Sequence, residues 1–268
     1  MKRLFFFCAI IFFTGCASLP TDYVKLDNQE TLSLDAVMEK ISKERVIFIG
    51  EIHGTASIHL LQLEIIKRLR ERGKELVIAL EAFPDTRQGI LNKWIAGSLD
   101  KGAFEQAYSA YWSIPFEYYE GIFDYAKEQH IPLVAMNAED TIIREASKKG
   151  LQTVSADFLK KIQFTDCSTD PAYKGLVNSI SIHASGFQFF CDGQRLRDTV
   201  MAFNISNAMA GNNYTVVVLA GVAHSSKMAV PRILENNTGA TSTVLLPEEV
   251  KYFIKRTPDR NIADYIWY

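Results

Sequence analysis

Several motifs and compositional signals that identify common protein classes are missing from this sequence. There is no Gly-x-Ser-x-Gly motif and no His-Glu-x-x-His motif, which argues against a conventional serine hydrolase and against a helical zinc protease. Positive charge is not in excess, since 29 Lys and Arg residues accompany 31 Asp and Glu residues, so nucleic acid is not an expected partner. No internal repeat or low-complexity segment occurs, and an apolar content of 48% indicates a globular protein.

Long apolar runs are also scarce, and the N-terminal run is too short to cross a membrane. Lys2 and Arg3 precede the apolar residues 4–13, and small residues lead from there to Cys16. A membrane span needs ~20 apolar residues, whereas a basic start, a short apolar core and a cysteine after small residues are typical of a bacterial lipoprotein signal peptide. We therefore predict removal of residues 1–15 and attachment of lipid, palmitate included, to Cys16.

The expected location is the cell envelope, and the outer membrane in a Gram-negative cell, because Ala17 rather than Asp follows the cysteine. Phe13 occupies a position where Leu is common, which leaves a soluble secreted protein as the alternative. Without Lys2 and Arg3, the 29 basic residues become 27 against 31 acidic ones, a net charge of −4.

Cysteine is rare, with 4 residues in the whole sequence. Cys8 leaves with the signal peptide and Cys16 carries the lipid, so Cys167 and Cys191 remain. In an oxidising compartment this pair can form a disulfide, and two buried thiols are the alternative.

The rest of the chain alternates between apolar β-branched runs and helical patterns. Residues 56–72 have apolar side chains at helical spacing, which predicts a helix, and residues 192–210 are predicted as a second helix. The alternation predicts an α/β domain with a mostly parallel sheet and helices on both faces. The predicted strands are 45–50, 75–80, 131–136, 214–220 and 241–246.

The predicted organisation is a tether and N-terminal segment at 16–40 followed by an α/β domain at 41–268. Segments 87–129 and 150–211 do not fit the alternation and are interpreted as insertions. Since both follow carboxyl ends of strands, we expect them to rise over the same side of the sheet and form a helical lid subdomain.

Polar residues follow the predicted strands where each strand ends. Glu51 and His53 follow the first strand, Glu81 the second, Asn137 the third, and His224 the fourth. Ligands of open parallel α/β sheets bind outside the carboxyl ends of the strands, so these side chains are expected around one crevice.

Each of these residues also has a structural interpretation. A single His after a strand is often a hydrogen-bonded loop residue, although the Gly-x-x-His pattern occurs here twice. Glu51 and Glu81 could cap helices or form ion pairs, and a network with His53 or His224 is expected if they are buried. For His59, near the start of the following helix, both interpretations stay open.

Several motifs together carry a resemblance to a known family. They are Gly50-Glu51-Ile52-His53 with His59 and Gln62, Ala79-Leu-Glu81-Ala-Phe83, Ile131-Pro-Leu-Val-Ala-Met-Asn137-Ala, Arg197-Asp198-Thr-Val-Met201-Ala, Ala220-Gly221-Val-Ala-His224 and Ala263-Asp264-Tyr265-Ile266-Trp267. In this order they resemble the ChaN family of haem-binding uptake lipoproteins, within the superfamily of the Tiki and TraB proteins and the erythromycin esterases.

The family resemblance implies an α/β core with a helical subdomain, and haem bound at the interface of a homodimer for iron acquisition. An outer-membrane haem receptor is then a further expected partner. The superfamily resemblance implies hydrolysis instead, with His53 as general base or metal ligand, Glu81 orienting it or sharing the proton, and His224 on the opposite side of the transition state.

Haem ligation and substrate binding both have candidate residues. There is no Cys-x-x-Cys-His motif, which excludes covalent c-type haem, and the candidate iron ligands are Tyr111, Tyr118 and His183. The two tyrosines belong to an aromatic segment whose other rings are expected to pack on the sheet. Arg197 could bind a substrate anion or form an ion pair with Asp198 or Glu51. The aromatic segment contains Phe104, Tyr108, Tyr111, Trp112, Phe116, Tyr118 and Tyr119.

We therefore predict a lipid-anchored, dimeric haem-binding protein that is not an enzyme. The alternative is a hydrolase of the cell envelope that depends on His and Glu, with or without a divalent metal, for which no ligand set is assigned. A purely structural lipoprotein is the third possibility, and it would not need polar residues at so many strand ends.

Overall fold

The computed structural model of the protein describes residues 19–20, 22–180, 186–211 and 213–268. The predicted signal peptide, the predicted lipidation at Cys16 and the ligand candidate His183 lie outside the described residues, so they stay predictions. In the described part of the chain, no helix is both long enough and apolar enough to span a bilayer.

One eight-stranded sheet forms the centre of the fold. Its strands are β1 (Tyr23–Lys25), β2 (Glu30–Leu32), β3 (Val46–Glu51), β4 (Leu76–Pro84), β5 (Leu133–Asn137), β6 (Thr215–Gly221), β7 (Thr243–Pro247) and β8 (Tyr265–Trp267). Their order across the sheet is β2-β1-β8-β7-β3-β6-β4-β5. All neighbours from β8 to β5 are parallel, and only β1 pairs antiparallel, with β2 and β8. The predicted α/β class with a mostly parallel sheet is confirmed.

Helices connect and cover these strands. They are α1 (Leu34–Ile41), α2 (Ala56–Glu71), α3 (Gln88–Ile95), α4 (Lys101–Ser109), α5 (Glu120–Glu128), α6 (Asp140–Lys149), α7 (Ala156–Lys161), α8 (Pro171–Ile180), α9 (Phe187–Met209), α10 (Val222–Ser225), α11 (Val230–Thr238) and α12 (Val250–Ile254). Among the described helices, α1, α4 and α7 begin at side-chain caps. Ser33 accepts a hydrogen bond from the backbone of Ala36, Asp100 accepts one from that of Ala103, and Ser155 accepts one from that of Phe158.

Both faces of the sheet are buried, which explains why the strands are continuously apolar. In β3, Ile47 and Ile49 belong to the core on the first face, whereas Val46 and Phe48 belong to the core on the second face. A parallel sheet with helices on both faces needs apolar residues at every position of its central strands.

The two segments predicted as insertions cover opposite faces of the sheet. Segment 87–129 contains α3, α4 and α5, and its buried rings Trp94 and Phe104 belong to the core on the first face. Segment 150–211 contains α7, α8 and α9, and Met201 of α9 belongs to the core on the second face. The segments therefore form layers over different faces, and their role as one lid stays a prediction.

A disulfide joins Cys167 to Cys191, with their Cα atoms 5.8 Å apart. Both residues are fully buried, and the backbone N–H of Cys167 donates to the carboxylate of Asp192 at 2.8 Å. The bond fixes the turn Cys167–Thr169, just before α8, against α9.

Candidate functional site at the carboxyl edge of the sheet

The parallel arrangement brings the polar strand ends to one edge of the sheet. Glu51 is the last residue of β3 and lies opposite Gly221, the last residue of β6. Glu81 lies in β4, which neighbours β6, and Asn137 ends β5 beside β4. His224 lies on α10, directly after β6.

Glu51 is a buried carboxylate whose two oxygens both accept hydrogen bonds. Its Oε1 atom lies 2.8 Å from Nδ1 of His53 and also accepts a hydrogen bond from the hydroxyl of Tyr119. Its Oε2 atom accepts one from Nε2 of Gln62 at 2.9 Å. Burial alone opposes ionisation of Glu51, but the hydrogen bond from His53, the charges of His59 and His53, and the hydrogen bond from Tyr119 outweigh it and lower its pKa.

His53 connects this carboxylate to the open side of the site. Its side chain is 35% exposed, and its ring meets the ring of Trp112 edge-on with centroids 5.0 Å apart. Burial lowers the pKa of His53, but Glu51 and Glu81 outweigh burial and raise it. A Cβ atom at position 221 would lie 3.1 Å from Nε2 of His53, so the glycine there lets the imidazole approach the end of β6.

His224 is the centre of a second acid–histidine group. Nδ1 of His224 is hydrogen-bonded to Oδ1 of Asp198 on α9, and the other oxygen of Asp198 accepts the hydroxyl of Tyr173 at 2.7 Å. Nε2 of His224 lies 3.5 Å from Oε1 of Glu81, whose Oε2 accepts the backbone N–H of Gly221 at 2.7 Å. Burial lowers the pKa of His224, but the negative charges of Asp198 and Glu81 outweigh it and raise the pKa.

His59 lies beneath the Glu51 group rather than in the open crevice. Its Nδ1 atom is 2.9 Å from Oε1 of Gln62, and its side chain is only 2% exposed. Burial lowers the pKa of His59, although the charge of Glu51 acts in the opposite direction. His59 and Tyr118 line a separate small cavity of about 170 Å³.

A larger pocket of about 430 Å³ opens beside the two groups. Trp112 lines it and also contacts His53, so the pocket and the first histidine share one wall. Arg197 reaches the pocket from α9, where its guanidinium donates to Asn137 at 3.2 Å and to Asp140 at 2.8 Å. The lining comprises Ala82, Pro84, Ala110, Tyr111, Trp112, Ser113, Asn137, Ala138, Glu139, Asp140 and Arg197.

Most rings of the aromatic segment are core residues, as the packing interpretation predicts. Tyr108 and Phe104 have no exposed surface. Tyr111, Trp112 and Tyr118 are only partly buried. Of the candidate iron ligands, Tyr111 lines the larger pocket, where the guanidinium carbon of Arg87 lies 5.0 Å from its ring centroid.

Two pairings differ from those predicted. For the hydrolase alternative, Glu81 was expected to orient His53, but the carboxylate hydrogen-bonded to His53 is Glu51, because the two side chains meet across the turn that ends β3. Glu81 lies beside His224, in agreement with the expected network of the two carboxylates with these histidines. Arg197 pairs with Asp140 and Asn137 rather than with Asp198 or Glu51.

Three supporting residues of the site were not predicted from the sequence. Tyr173 holds Asp198, Asp140 pairs with Arg197, and Arg87 lies over Tyr111. They lie on α8, at the start of α6 and in the turn after β4, and no motif marks any of them. Within the described ranges, no group of three or more His, Cys, Asp or Glu side chains is arranged to hold a metal ion.

The fold and the site together define a class of α/β protein with paired acid–histidine groups beside a ligand-sized pocket at the carboxyl edge of its sheet. Residues 37–234 match the family described as haem-binding uptake, Tiki superfamily, ChaN. The match spans most of the chain, so this protein belongs to that family.

Two solved structures and one plant protein are similar to the chain. The structure of cofacial haem binding to ChaN of Campylobacter jejuni has a TM-score of 0.72 and 17% identity, covering 92% of this chain and 95% of that one. An erythromycin esterase, EreC, in its open conformation has a TM-score of 0.51 and 14% identity, covering 84% and 76%. At these identities the likeness establishes the fold alone.

The plant relative is Protein RETICULATA-RELATED 5, chloroplastic, of Arabidopsis thaliana. It is 25% identical over an alignment of 263 residues, which covers 87% of this chain and 35% of that protein. The chain therefore spans about a third of the length of this relative.

Proposed function

We propose that this protein binds haem in the 430 Å³ pocket as a lipid-anchored component of haem or iron acquisition. The observation that carries the proposal is the pocket itself, which is lined by a tyrosine, a tryptophan and the guanidinium of Arg197 in a member of a haem-binding uptake family. Its volume lies within the range of about 300–1,000 Å³ that small-molecule sites occupy.

Tyr111 is the proposed iron ligand. A phenol oxygen is a suitable axial ligand for ferric haem, and the ring of Trp112 offers an apolar surface for the porphyrin. Arg197 in the pocket lining and Arg87 beside Tyr111 could pair with the carboxylates of a porphyrin, in exchange for their present partners Asp140 and Glu139. Tyr118 is the weaker candidate, because its cavity holds only about 170 Å³.

We further propose that a second copy of the chain covers the bound haem. The pocket is an open cleft bordered by partly buried rings, so a flat ligand within it would keep one face toward solvent. A homodimer would bury that face, and an outer-membrane haem receptor remains a proposed partner for delivery.

The proposed location is the cell envelope, through lipid on Cys16. The N-terminal sequence supports this location, because it has the features of a lipoprotein signal peptide: Lys2 and Arg3, the short apolar run 4–13, and small residues before Cys16. The outer membrane is the proposed compartment in a Gram-negative cell.

A haemin titration followed by absorption spectroscopy tests this function. We expect saturable binding by the chain from residue 17 onward, with a tyrosinate spectrum that Tyr111→Phe abolishes. Tyr118→Phe is the matched control, since it removes the same hydroxyl from the smaller cavity, and it should leave the spectrum unchanged. Non-saturating binding by the wild-type chain would contradict the proposal.

Hydrolysis is the second candidate function, and the two acid–histidine groups favour it. The hydrogen bond between Nδ1 of His53 and Glu51 leaves Nε2 of the neutral imidazole as a base, which could accept a proton from water while the water oxygen attacks a carbonyl carbon. His224, held by Asp198, could then donate a proton to the leaving group.

A screen of ester and peptide substrates distinguishes the two functions. Under the hydrolase hypothesis, His53→Ala and His224→Ala abolish turnover, because they remove the base and the acid. A haem carrier without enzymatic activity shows no turnover in the wild type or in either variant. It retains haem binding in both variants as long as the substitutions leave Trp112 in place in the pocket wall. Hydrolysis that persists at the wild-type rate in both variants would refute the proposed chemistry.

A further inference from the structure

One corner of the sheet carries exposed aromatic side chains that lie outside the pocket. Tyr252 is 71% exposed, Phe253 41% and Tyr268 58%. Tyr252 and Phe253 lie on α12 after β7, and Tyr268 follows β8 directly. The backbone N–H of Glu248 donates to the carbonyl of Trp267 at 3.0 Å, which holds the start of α12 beside the end of β8. We call Tyr252, Phe253 and Tyr268 the aromatic corner.

The N-terminal segment of the chain enters the fold at the same place. The backbone N–H of Tyr268 donates to the carbonyl of Asp22 at 3.2 Å, and Tyr23 pairs with Trp267 across β1 and β8. Leu19 already packs against the core on the first face. The packed domain therefore begins beside the aromatic corner.

The distance from this entry point to the predicted lipid is short. Cys16 precedes Asp22, whose carbonyl accepts the hydrogen bond from Tyr268, by six residues, and six residues of extended chain reach at most about 22 Å. A lipid on Cys16 would hold the bilayer surface within that distance of the entry point. The domain cannot then move far from the membrane, and the surface around the entry point must face it.

The side chains around the aromatic corner suit the polar interface of a bilayer. Tyrosine and other amphipathic rings concentrate at the headgroup level of membranes, and lysine and arginine bind anionic lipids. Lys251, Lys255 and Arg256 flank the two rings of α12 in sequence. Nζ of Lys251 lies 5.2 Å from the ring centroid of Tyr252, with Glu248 as its ion-pair partner at 2.6 Å.

We propose that the aromatic corner is the membrane-contact surface of this protein, and that the headgroup layer of the anchoring bilayer occupies it. The inference rests on the proposed lipid anchor at Cys16 and does not depend on haem. The ends of β7 and β8 lie at the same edge of the sheet as the pocket. Strand spacing places the end of β4, which borders the pocket, about 20 Å along that edge from β8. The contact would therefore turn the edge that carries the pocket toward the bilayer.

The chain allows a site-specific fluorescence test. The full-length lipidated protein with Phe253→Cys is labelled with an environment-sensitive fluorophore and bound to vesicles of phosphatidylethanolamine and phosphatidylglycerol. The native cysteines do not compete, because Cys16 carries lipid and Cys167 is bonded to Cys191. Thr241→Cys is the control, since this exposed residue lies before β7, at the opposite end of the strand that leads to α12.

We expect the label at position 253 to shift to the blue on vesicles and to lose most of its emission to a lipid-borne quencher, while the label at 241 does neither. Equal responses at both positions, or no response at 253 in protein that floats with the vesicles, would overturn the inference. A blue shift at 253 that grows with protein concentration and needs no lipid would assign the corner to a second copy of the chain instead.

The same experiment distinguishes failure of the membrane contact from failure of the lipid anchor and from failure of haem binding. Protein that fails to float with vesicles lacks the anchor at Cys16, and this result overturns the membrane contact as well. A haemin titration of the same labelled protein reports haem binding independently of either result.

Discussion

Removal of one hydroxyl group tests whether Glu51 is held as an ionised, hydrogen-bonded carboxylate. Tyr119 is 2% exposed, and its hydroxyl donates to the same oxygen of Glu51 that pairs with His53. Tyr119→Phe removes this hydrogen bond and leaves the ring and its packing in place. Hydrogen bonds to charged groups contribute about 1.5–3 kcal/mol, so we expect the free energy of unfolding to fall by that amount.

Tyr108 provides a matched control within the same aromatic cluster. Its ring centroid lies 5.8 Å from that of Tyr119, and it has no exposed surface. Its buried hydroxyl has no hydrogen-bond partner among the described residues. Tyr108→Phe therefore removes an unsatisfied polar atom, and we expect the free energy of unfolding to stay unchanged or to rise by about 1 kcal/mol.

Urea unfolding at pH 7 with the disulfide intact measures both variants, provided that two optical probes give coincident transitions. Opposite or clearly different effects of Tyr119→Phe and Tyr108→Phe are expected. Equal losses in the two variants would refute the assignment, because they would reflect ring packing rather than the hydrogen bond to Glu51.

The pH dependence of Tyr119→Phe follows from the direction of the Glu51 shift. Burial opposes ionisation, but His53, His59 and Tyr119 together lower the pKa of Glu51 below its ordinary value of 4.5. A lowered folded-state pKa contributes stability that is fully present above the unfolded-state pKa and is lost as the pH falls through the folded-state pKa. The difference between wild type and Tyr119→Phe should therefore be largest at neutral pH and shrink in acid.

Two further changes test the packing of the sheet and the disulfide. Gly50→Ala places a Cβ atom 2.3 Å from Cδ2 of buried Leu246, so overpacking should lower the free energy of unfolding, measured in urea, by about 1–3 kcal/mol. A stability equal to wild type would contradict the tight contact of β3 with β7. Reduction of the bond between Cys167 and Cys191, which are 24 residues apart, should cost about 3 kcal/mol by the loop-entropy relation. An unchanged urea midpoint under reducing conditions would show that the bond does not stabilise the fold.

The sequence predicted the positions of the polar residues better than their partners. Because parallel strands end at one edge, the alternation of strands and helices was sufficient to bring Glu51, Glu81 and His224 together. Which carboxylate holds which histidine depends on the turn after β3 and on α9, and neither conformation can be read from spacing. Tyr173 was missed for the same reason, since it reaches Asp198 from a helix 25 residues earlier in the chain.

The pattern of apolar residues predicted the positions of the longer strands but not those of the shortest ones. The central strands β3 and β6 were predicted within one residue of their observed bounds because both faces of each are apolar. The end of β4 was wrong, since the strand was predicted to stop at residue 80 but continues to Pro84, so Glu81 lies in the strand rather than after it. The strands β1 and β2 were not predicted, because three residues are too few to show a period. β1 pairs with β8 at the far end of the chain, and β2 pairs with β1.

A crystal structure of the protein with bound haemin tests the central claim most directly. The account predicts one haem per chain in the 430 Å³ pocket, with the iron bound to the hydroxyl oxygen of Tyr111 and the carboxylates near Arg87 and Arg197. Haem bound beside Tyr118 and His59, or iron bound by a residue outside the pocket, would contradict it.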